Sequence, residues 1–548
     1  MNQLKIAERE KRVRDYVLPS RVMLAEGNIF NTETLLRQKP LQIFLTEPDV
    51  FTVNGRGSVV LDFGREIQGG IRVLTHRCDS RDTRVRIRFG ESASETCAEL
   101  ICNGGTATND HALRDFETNL INLSDMQWGN TGFRFVRIDF LSGSQEIGIK
   151  NIYGVYEHRG LERKGAFGCS DSLINEIFDV SAYTVELCMQ GMLWDGIKRD
   201  RLVWIGDTHP EAMSIMRLFG ADESVETALT ASREVTPLPA FMNGMPAYSL
   251  WWLAILADYY WHTGDMAYLE REKPYATELV KYIDSLVGAD GRLNFNSYFL
   301  DWPTYDVPER EQGVHALCSY AMRKIKGVYA ALGLDCAVPD GILQRIRKGQ
   351  GGGSFKQVNA LRALAGHVPA AAVLPLQLAG GARGMSTFMS YYILASIAEA
   401  GETAGALSIL KEYYGAMLGA GATTFFEDFD INWLNGSGRI DEFTPAGKKD
   451  LHGDFGAYCY VGFRHSLCHG WSSGPVPFLM RYVLGVSELE PGCKVLKIAP
   501  CLAGLAFAEG QYPTPFGSVK IRHELINGKV KSEVSAPAQI KIQMAKDE

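Results

Sequence analysis

No stretch of this chain is both long and uniformly apolar. The weakly polar segment 363–382 is interrupted by His367, Pro369, Pro375 and the adjacent Gly380 and Gly381, so it does not read as a membrane span. Positive charge is also short: 56 Lys and Arg face 64 Asp and Glu, for a net charge of −8. Without a basic excess to neutralise phosphates, neither nucleic acid nor an anionic membrane is an expected partner. The opening, MNQLKIAEREKRVRDYV, lacks the apolar core of a secretory signal and reads as a charged, solvated segment. The eleven cysteines form no C-x-x-C pair, so reduced thiols and a cytoplasmic location are expected. Asn122-Leu-Ser and Asn435-Gly-Ser match the glycosylation acceptor pattern, which carries no meaning without secretion.

Motifs for the commoner cofactor chemistries are missing as well. The sequence has no G-x-x-x-x-G-K-[ST], no H-E-x-x-H and no G-x-G-x-x-G after a strand pattern. Gly470-Trp-Ser-Ser-Gly474 fits the G-x-S-x-G elbow formally. Its triad, however, would need His523, the only histidine downstream, deep in a β-like tail. The remaining His and Cys residues are scattered, so no metal and no cofactor is expected. The glycine run from Gly351 reads as a flexible connection.

What is present divides the chain in three. Residues 1–160 carry short period-two runs, at Ser58-Val-Val-Leu-Asp-Phe, Gly70-Ile-Arg-Val-Leu, Arg84-Val-Arg-Ile-Arg-Phe and Phe133-Arg-Phe-Val-Arg-Ile. Such alternation marks half-buried antiparallel strands, and a β-sandwich closes them. From 161 to 487 the period becomes helical. Ser170 offers an N-cap for the first helix, and further helices are expected at about 209–219, 221–233, 247–263, 266–287, 309–333, 338–349, 355–366, 385–400 and 402–418, with one or two more toward 485. About a dozen helices in sequence suit a toroid of paired inner and outer helices. Alternation returns over 488–548, where Asn527-Gly528 marks a hairpin turn. So short a β region is expected to pack on another part of the chain.

Eight of the nine tryptophans fall between 161 and 480. Tryptophan is a usual platform for the apolar face of a sugar, although a large core would use it too. The densest polar cluster, 194–211, holds Asp195, Lys198, Arg199, Asp200, Arg201, Asp207, His209 and Glu211 beside Trp194 and Trp204. Pro210 suits a first helical turn, which would leave this cluster in a connecting loop, where site residues concentrate. An ion-pair network at a helix junction would have the same composition. A second cluster, 421–430, alternates Glu427, Asp428 and Asp430 with phenylalanines, whose apolar walls raise a carboxyl's pKa by desolvation. The third is His465-Ser-Leu-Cys-His469 followed by Trp471.

On these residues the chain resembles the inverting α-L-rhamnosidases of glycoside hydrolase family 78. The first family signature, D-x-x-x-R-(D)-E-R-x-x-W-x-G-D, reads here as Asp195-Gly-Ile-Lys-Arg199-Asp200-Arg201-Leu-Val-Trp204-Ile-Gly206-Asp207. The second, G-A-T-T-x-x-E, runs from Gly421 to Glu427, and the third, S-L-x-H, from Ser466 to His469. The resemblance implies a multidomain chain: an N-terminal β-sandwich, an all-α (α/α)6-barrel catalytic domain and a small C-terminal β region. In one respect the chain departs from the pattern. The family's general acid is a glutamate in the first signature, and here that segment is one residue shorter. Matching back from Trp204 and Asp207 puts Asp200 at the acid's position.

The implied chemistry uses two carboxyls, Asp200 as acid and Glu427 as base. One protonates the leaving oxygen while the other activates water on the opposite face, across a gap of roughly 6.5–9.5 Å. By resemblance Asp195, Arg199, Asp207 and His469 bind rhamnose hydroxyls, and Trp204 and Trp302 wall the ring and its methyl group. Tyr248-Ser-Leu-Trp251-Trp252 adds another wall; Trp251 is included among the contacts, with the choice between these aromatics open. The expected substrate is a small rhamnosylated glycoside or oligosaccharide. Another inverting glycosidase on the same scaffold and a catalytically silent carbohydrate-binding relative are the alternatives. The β structure flanking the barrel leads us to expect a homodimer.

Overall fold

The computed structural model describes residues 11–78, 83–99, 114–142, 146–347, 353–458 and 460–545. Most of the charged opening segment and the start of the Gly351 run lie outside the described residues. A seven-stranded antiparallel sheet fills the N-terminal region. Along its path lie Val13–Val17, Glu146–His158, Phe51–Cys78, Ser124–Phe140, Arg84–Gly90 and Asp115–Asn119, and Arg21–Phe30 also pairs with Phe51–Cys78. The two runs read separately at 58–63 and 70–74 are halves of this one 28-residue strand. Between them the register shifts from Asp62 to Ile67, and Gly64 takes a left-handed φ of 85°, so the strand bends without ending. Gly69, at φ 142°, lies so close to the neighbouring strand that a Cβ would fall 2.0 Å from the Val155 carbonyl oxygen.

Twelve α-helices follow among the described residues, from Ser172–Cys188 to Pro475–Tyr482. Asp171 rather than Ser170 caps the first, its side chain accepting from the N–H groups of Leu173 and Ile174. Pro475–Tyr482 is the helix expected toward 485. Ala370–Leu378 lies outside the helices placed by periodicity: Pro375 sits inside it and the segment is apolar almost throughout, so no period shows. At the C-terminus, Val519–Ile526 and Lys529–Ser535 form the hairpin expected at Asn527-Gly528, with both turn residues left-handed at φ 51° and 77°. This tail packs on the rest of the chain in a specific way. Its four-stranded sheet takes Ala166–Cys169, from just ahead of the first helix, as an edge strand on Phe507–Tyr512.

The molecule is thus a helical region flanked by N- and C-terminal β regions. Two apolar clusters fill it, one in the N-terminal sheet and one through the helices and the C-terminal β region. The N-terminal cluster also contains Leu187, Cys188, Ile197 and Cys468, which belong to the helical region and its loops. No helix among the described residues is long and apolar enough to cross a membrane, and no disulfide joins the described cysteines.

Candidate active site

Helix Ile205–Leu218 begins four residues earlier than Pro210 suggested, so the polar cluster is only partly a loop. Gly206, Asp207 and His209 lie in its first turns, and the proline sits inside the helix. The segment before it turns back sharply. Asp200 and Arg201 are both left-handed, at φ 53° and 54°, a strain of about 1–3 kcal/mol each for non-glycine residues. Tertiary contacts hold it in place: Arg201 donates to the Asn130 carbonyl at 2.7 Å and lies over the Trp194 ring, and Gly132 N–H donates to the Ile197 carbonyl at 2.9 Å.

This turn opens on a cavity of about 610 Å³ at the end of the helical region where Ile205–Leu218 and Pro246–Thr263 start. Asp195, Arg199, Asp200, Trp204, Asp207, Trp302, Glu427 and His469 all line it, with Tyr248, Phe299, Tyr305, Arg310, Tyr460, Arg464 and Trp471 among others. Arg199 stands between the two carboxyls of interest. Its Nη1 donates to Asp200 Oδ1 at 2.7 Å, and its Nη2 to Glu427 Oε1 at 2.5 Å. Its Nε donates to the Arg464 carbonyl at 2.8 Å, and the Tyr460 ring lies 5.0 Å below its face. The other oxygen of Asp200 accepts from Trp204 Nε1 at 3.1 Å.

Glu427 is buried, which by itself raises a carboxyl's pKa, but Arg199 and then His469 outweigh burial and hold it well below the carboxylate range. Its Oε2 also accepts the Ser466 N–H at 3.0 Å. The second signature explains how it is held. Gly421 has φ +95° and a Cβ there would fall 2.3 Å from Asp441 Oδ1; Thr424 Oγ donates to the Leu467 carbonyl at 2.8 Å. Only glycine fits the first position, and the threonine ties this loop to the third signature.

His469 Nε2 faces Glu427, Asp195 and Asp207 at 3.3, 3.5 and 3.8 Å. Burial opposes charge on the ring, yet Glu427 and Asp195 prevail and keep it protonated. Asp195, Asp207 and His469 converge closely enough to be weighed as metal ligands. The protonated ring supplies positive charge among these carboxyls. Burial pushes Asp207 up to about 8, with Asp195 adding to the shift and His469 opposing it, so this carboxyl carries a proton at neutral pH. Tyr248 Oη donates to it at 3.1 Å.

Trp251 requires a correction. It is 1% exposed and lies outside the cavity, packed on His209 at 4.7 Å and on Tyr392 at 5.1 Å between ring centroids. On its helix it follows Tyr248 by three residues, so it occupies the same side one turn deeper, in the core. Trp252 points elsewhere, donating to the Leu229 carbonyl at 3.1 Å. Tyr248 is the aromatic of that segment that reaches the cavity. The sequence reading also passed over Phe299, Tyr460 and Arg464, whose signal was only their proximity to Trp302 and to the third signature.

Two parts of this chain match known protein domains. Residues 162–324 match the bacterial alpha-L-rhamnosidase 6 hairpin glycosidase domain, and residues 485–545 the bacterial alpha-L-rhamnosidase C-terminal domain. Among solved structures, the family 78 rhamnosidase of Bacillus sp. GL1 superposes with a TM-score of 0.74 at 21% identity, covering 94% of this chain and 55% of that one. The Streptomyces avermitilis alpha-L-rhamnosidase complexed with L-rhamnose gives 0.72 at 17% identity, covering 97% and 50%. The Klebsiella oxytoca rhamnosidase with rhamnose bound gives 0.67 at 20% identity, covering 87% and 97%. This chain thus spans about half the length of the Bacillus and Streptomyces proteins. No curated protein matches by sequence. Two domain models of bacterial alpha-L-rhamnosidases thus match parts of this chain, and solved rhamnosidases share its fold.

Proposed function

We propose that the protein hydrolyses terminal, non-reducing α-L-rhamnose from small glycosides or oligosaccharides, with inversion. The observation that carries this reading is Arg199, whose guanidinium is hydrogen-bonded to both Asp200 and Glu427 in a cavity walled by Trp204, Trp302 and Tyr248. One guanidinium bridges the two carboxyls, and inversion requires roughly 6.5–9.5 Å between them to leave room for the attacking water. Glu427 stays ionised and serves as the base that takes a proton from that water. Asp200 gives a proton to the departing oxygen. Asp195, Asp207, Arg199 and His469 hold the sugar's hydroxyls, and the aromatic walls take its methyl group. Two of the structural relatives were solved with rhamnose present, which supports that sugar as the one recognised.

The scaffold that goes with this reading has three domains, 1–160, 161–487 and 488–548: a β-sandwich, an (α/α)6 barrel and a C-terminal β domain. The match to a six-hairpin family model supports the barrel. The test is release of p-nitrophenol from p-nitrophenyl α-L-rhamnoside, with the first-formed sugar assigned by NMR. We expect β-L-rhamnose; the α anomer would overturn inversion, and no release would overturn the activity.

A specific observation favours a second assignment of the proton donor. Asp207, pushed up to about 8, is protonated where an acid must be, whereas both oxygens of Asp200 already accept hydrogen bonds. An acid's removal harms substrates with poor leaving groups most. If Asp207→Asn rather than Asp200→Asn shows that selectivity between a disaccharide and the nitrophenyl substrate, the acid is Asp207.

A further inference from the structure

The N-terminal β region does more than flank the helices, because its polar side chains reach beneath all three signature loops. Glu91, just past strand Arg84–Gly90, is 1% exposed. Its Oε1 accepts the Ser466 hydroxyl at 3.0 Å and its Oε2 the Leu467 N–H at 2.8 Å. Ser466 in turn gives its N–H to Glu427 Oε2 at 3.0 Å, and its carbonyl accepts the Glu427 N–H at 2.9 Å. The chain of contacts therefore runs Glu91, Ser466, Glu427, with every link buried.

A second arm supports the first signature. Lys198, adjacent to Arg199, is also buried, and its amino group lies 3.3 Å from Glu91 and 2.9 Å from Glu95. The same amino group donates to the carbonyls of Phe463 at 2.5 Å and His465 at 3.1 Å, tying the first and third signatures together. Arg114 completes the charge balance, reaching Glu95 at 3.0 Å and the Gly132 carbonyl at 2.7 Å. Burial pushes Glu66 well up, with the charge of Glu91 adding to it, and burial also raises Glu91 against the pull of Lys198 and Arg114. Buried charges of this kind cost several kcal/mol each to desolvate and persist only where hydrogen bonds satisfy them. For a fold alone, apolar side chains would serve as well. These charges meet where two loops must hold Arg199 and Glu427 in register.

We propose that Glu91 of the N-terminal β region is a positioning residue for the base Glu427, acting through Ser466, with Lys198 as its counterpart beneath Arg199. This rests on the function proposed above, in which Glu427 activates water. Removing the Glu91 carboxylate frees the 465–469 loop to drift, and Glu427 loses the N–H that favours its charged form.

The test compares Glu91→Gln, Ser466→Ala and the double variant with wild type and Glu427→Gln on p-nitrophenyl α-L-rhamnoside. The glutamine keeps the Leu467 N–H but turns its NH2 on the Ser466 hydroxyl, which must give its proton to the Cys468 carbonyl at 3.0 Å instead, so the charged anchor is lost. We expect kcat to fall about 10²-fold in Glu91→Gln, the scale of a 1 Å misplacement, with KM changed less than threefold. The fall in kcat with KM held, measured per folded enzyme, is a split that a merely structural role would not produce. The two single effects are non-additive in the double variant, since they break one chain of contacts. Should Glu91→Gln fail to fold, the same kcat-against-KM split in Ser466→Ala decides. Wild-type kcat in folded variants would overturn the proposal. So would losses that merely track the unfolded fraction. An inactive wild type would instead overturn the function on which the inference rests.

Discussion

At the scale of single residues, the site is governed by which carboxyls keep their protons. Three carboxyl groups lie within 3.3–3.8 Å of His469 Nε2, and their environments drive them apart: Glu427 down, Asp207 up. That divergence marks an acid–base pair more reliably than residue type does. Glu427→Gln should lower kcat about 10³-fold on every rhamnoside, because water activation is always needed. Asp200→Asn should cost least on nitrophenyl rhamnoside, whose leaving group needs little assistance, and most on a disaccharide. Full activity of Asp200→Asn on the disaccharide would remove it from the mechanism. Trp251→Ala belongs to a different class. It empties a core site, so urea unfolding should report a loss of about 3–5 kcal/mol, with KM of the folded enzyme unchanged.

At the scale of elements, helix Ile205–Leu218 fixes the cavity floor, and Gly206 sets its distance from the helix Pro246–Thr263. A Cβ at 206 would fall 2.4 Å from the Tyr248 ring, whose hydroxyl holds Asp207. Gly206→Ala gains at most about 1 kcal/mol of helix propensity, whereas overpacking costs about 1–3 kcal/mol. We therefore expect a net loss of stability, and kcat/KM lower by about 10-fold or more as Tyr248 is displaced. Thermal melting and initial rates measured on one preparation check both. An alanine variant as stable and active as wild type would show that the two helices have slack at this crossing.

At the scale of the whole molecule, buried ionisable groups make stability depend on pH from both sides. Burial pushes Asp207, Asp301 and Asp428 up to about 8, 7 and 7, with Asp301's charge adding to the shift at Asp428. The folded chain thus keeps protons that the unfolded chain releases near pH 4, and this contribution disappears as pH rises through 7 to 8. Glu95 and Glu488 behave oppositely. Burial would raise them, but ion pairing, led by Arg114 and Arg217, holds both at about 2, so their contribution is present above roughly pH 4 and lost as pH falls toward 2. Buried His315, lowered to about 4 chiefly by burial, adds to the acid loss below about pH 6.5. The melting temperature should peak in mildly acidic solution and fall on either side. Asp301→Asn should flatten the alkaline side in scanning calorimetry; an unchanged alkaline slope would refute this origin.

The sequence alone determined those features that local chemistry controls. Alternation and helical periodicity located the β-rich ends and most helices, Asn527-Gly528 placed its hairpin, and three short signatures brought seven site residues into view. Features set by distant partners were not legible. Helix Ile205–Leu218 starts ahead of Pro210, and the strand Phe51–Cys78 is continuous through a bend. In both places tertiary packing outweighed the local breaker. Trp251 and Tyr248 are indistinguishable by composition; one helical turn of depth makes the first core and the second cavity wall. The same holds for Glu91 and Glu95, which look like ordinary surface charges along the chain, whereas Lys198 stands in the densest polar cluster of the sequence. They become a buried support for Arg199 and Glu427 only because the fold brings residues more than 250 positions apart within hydrogen-bond reach.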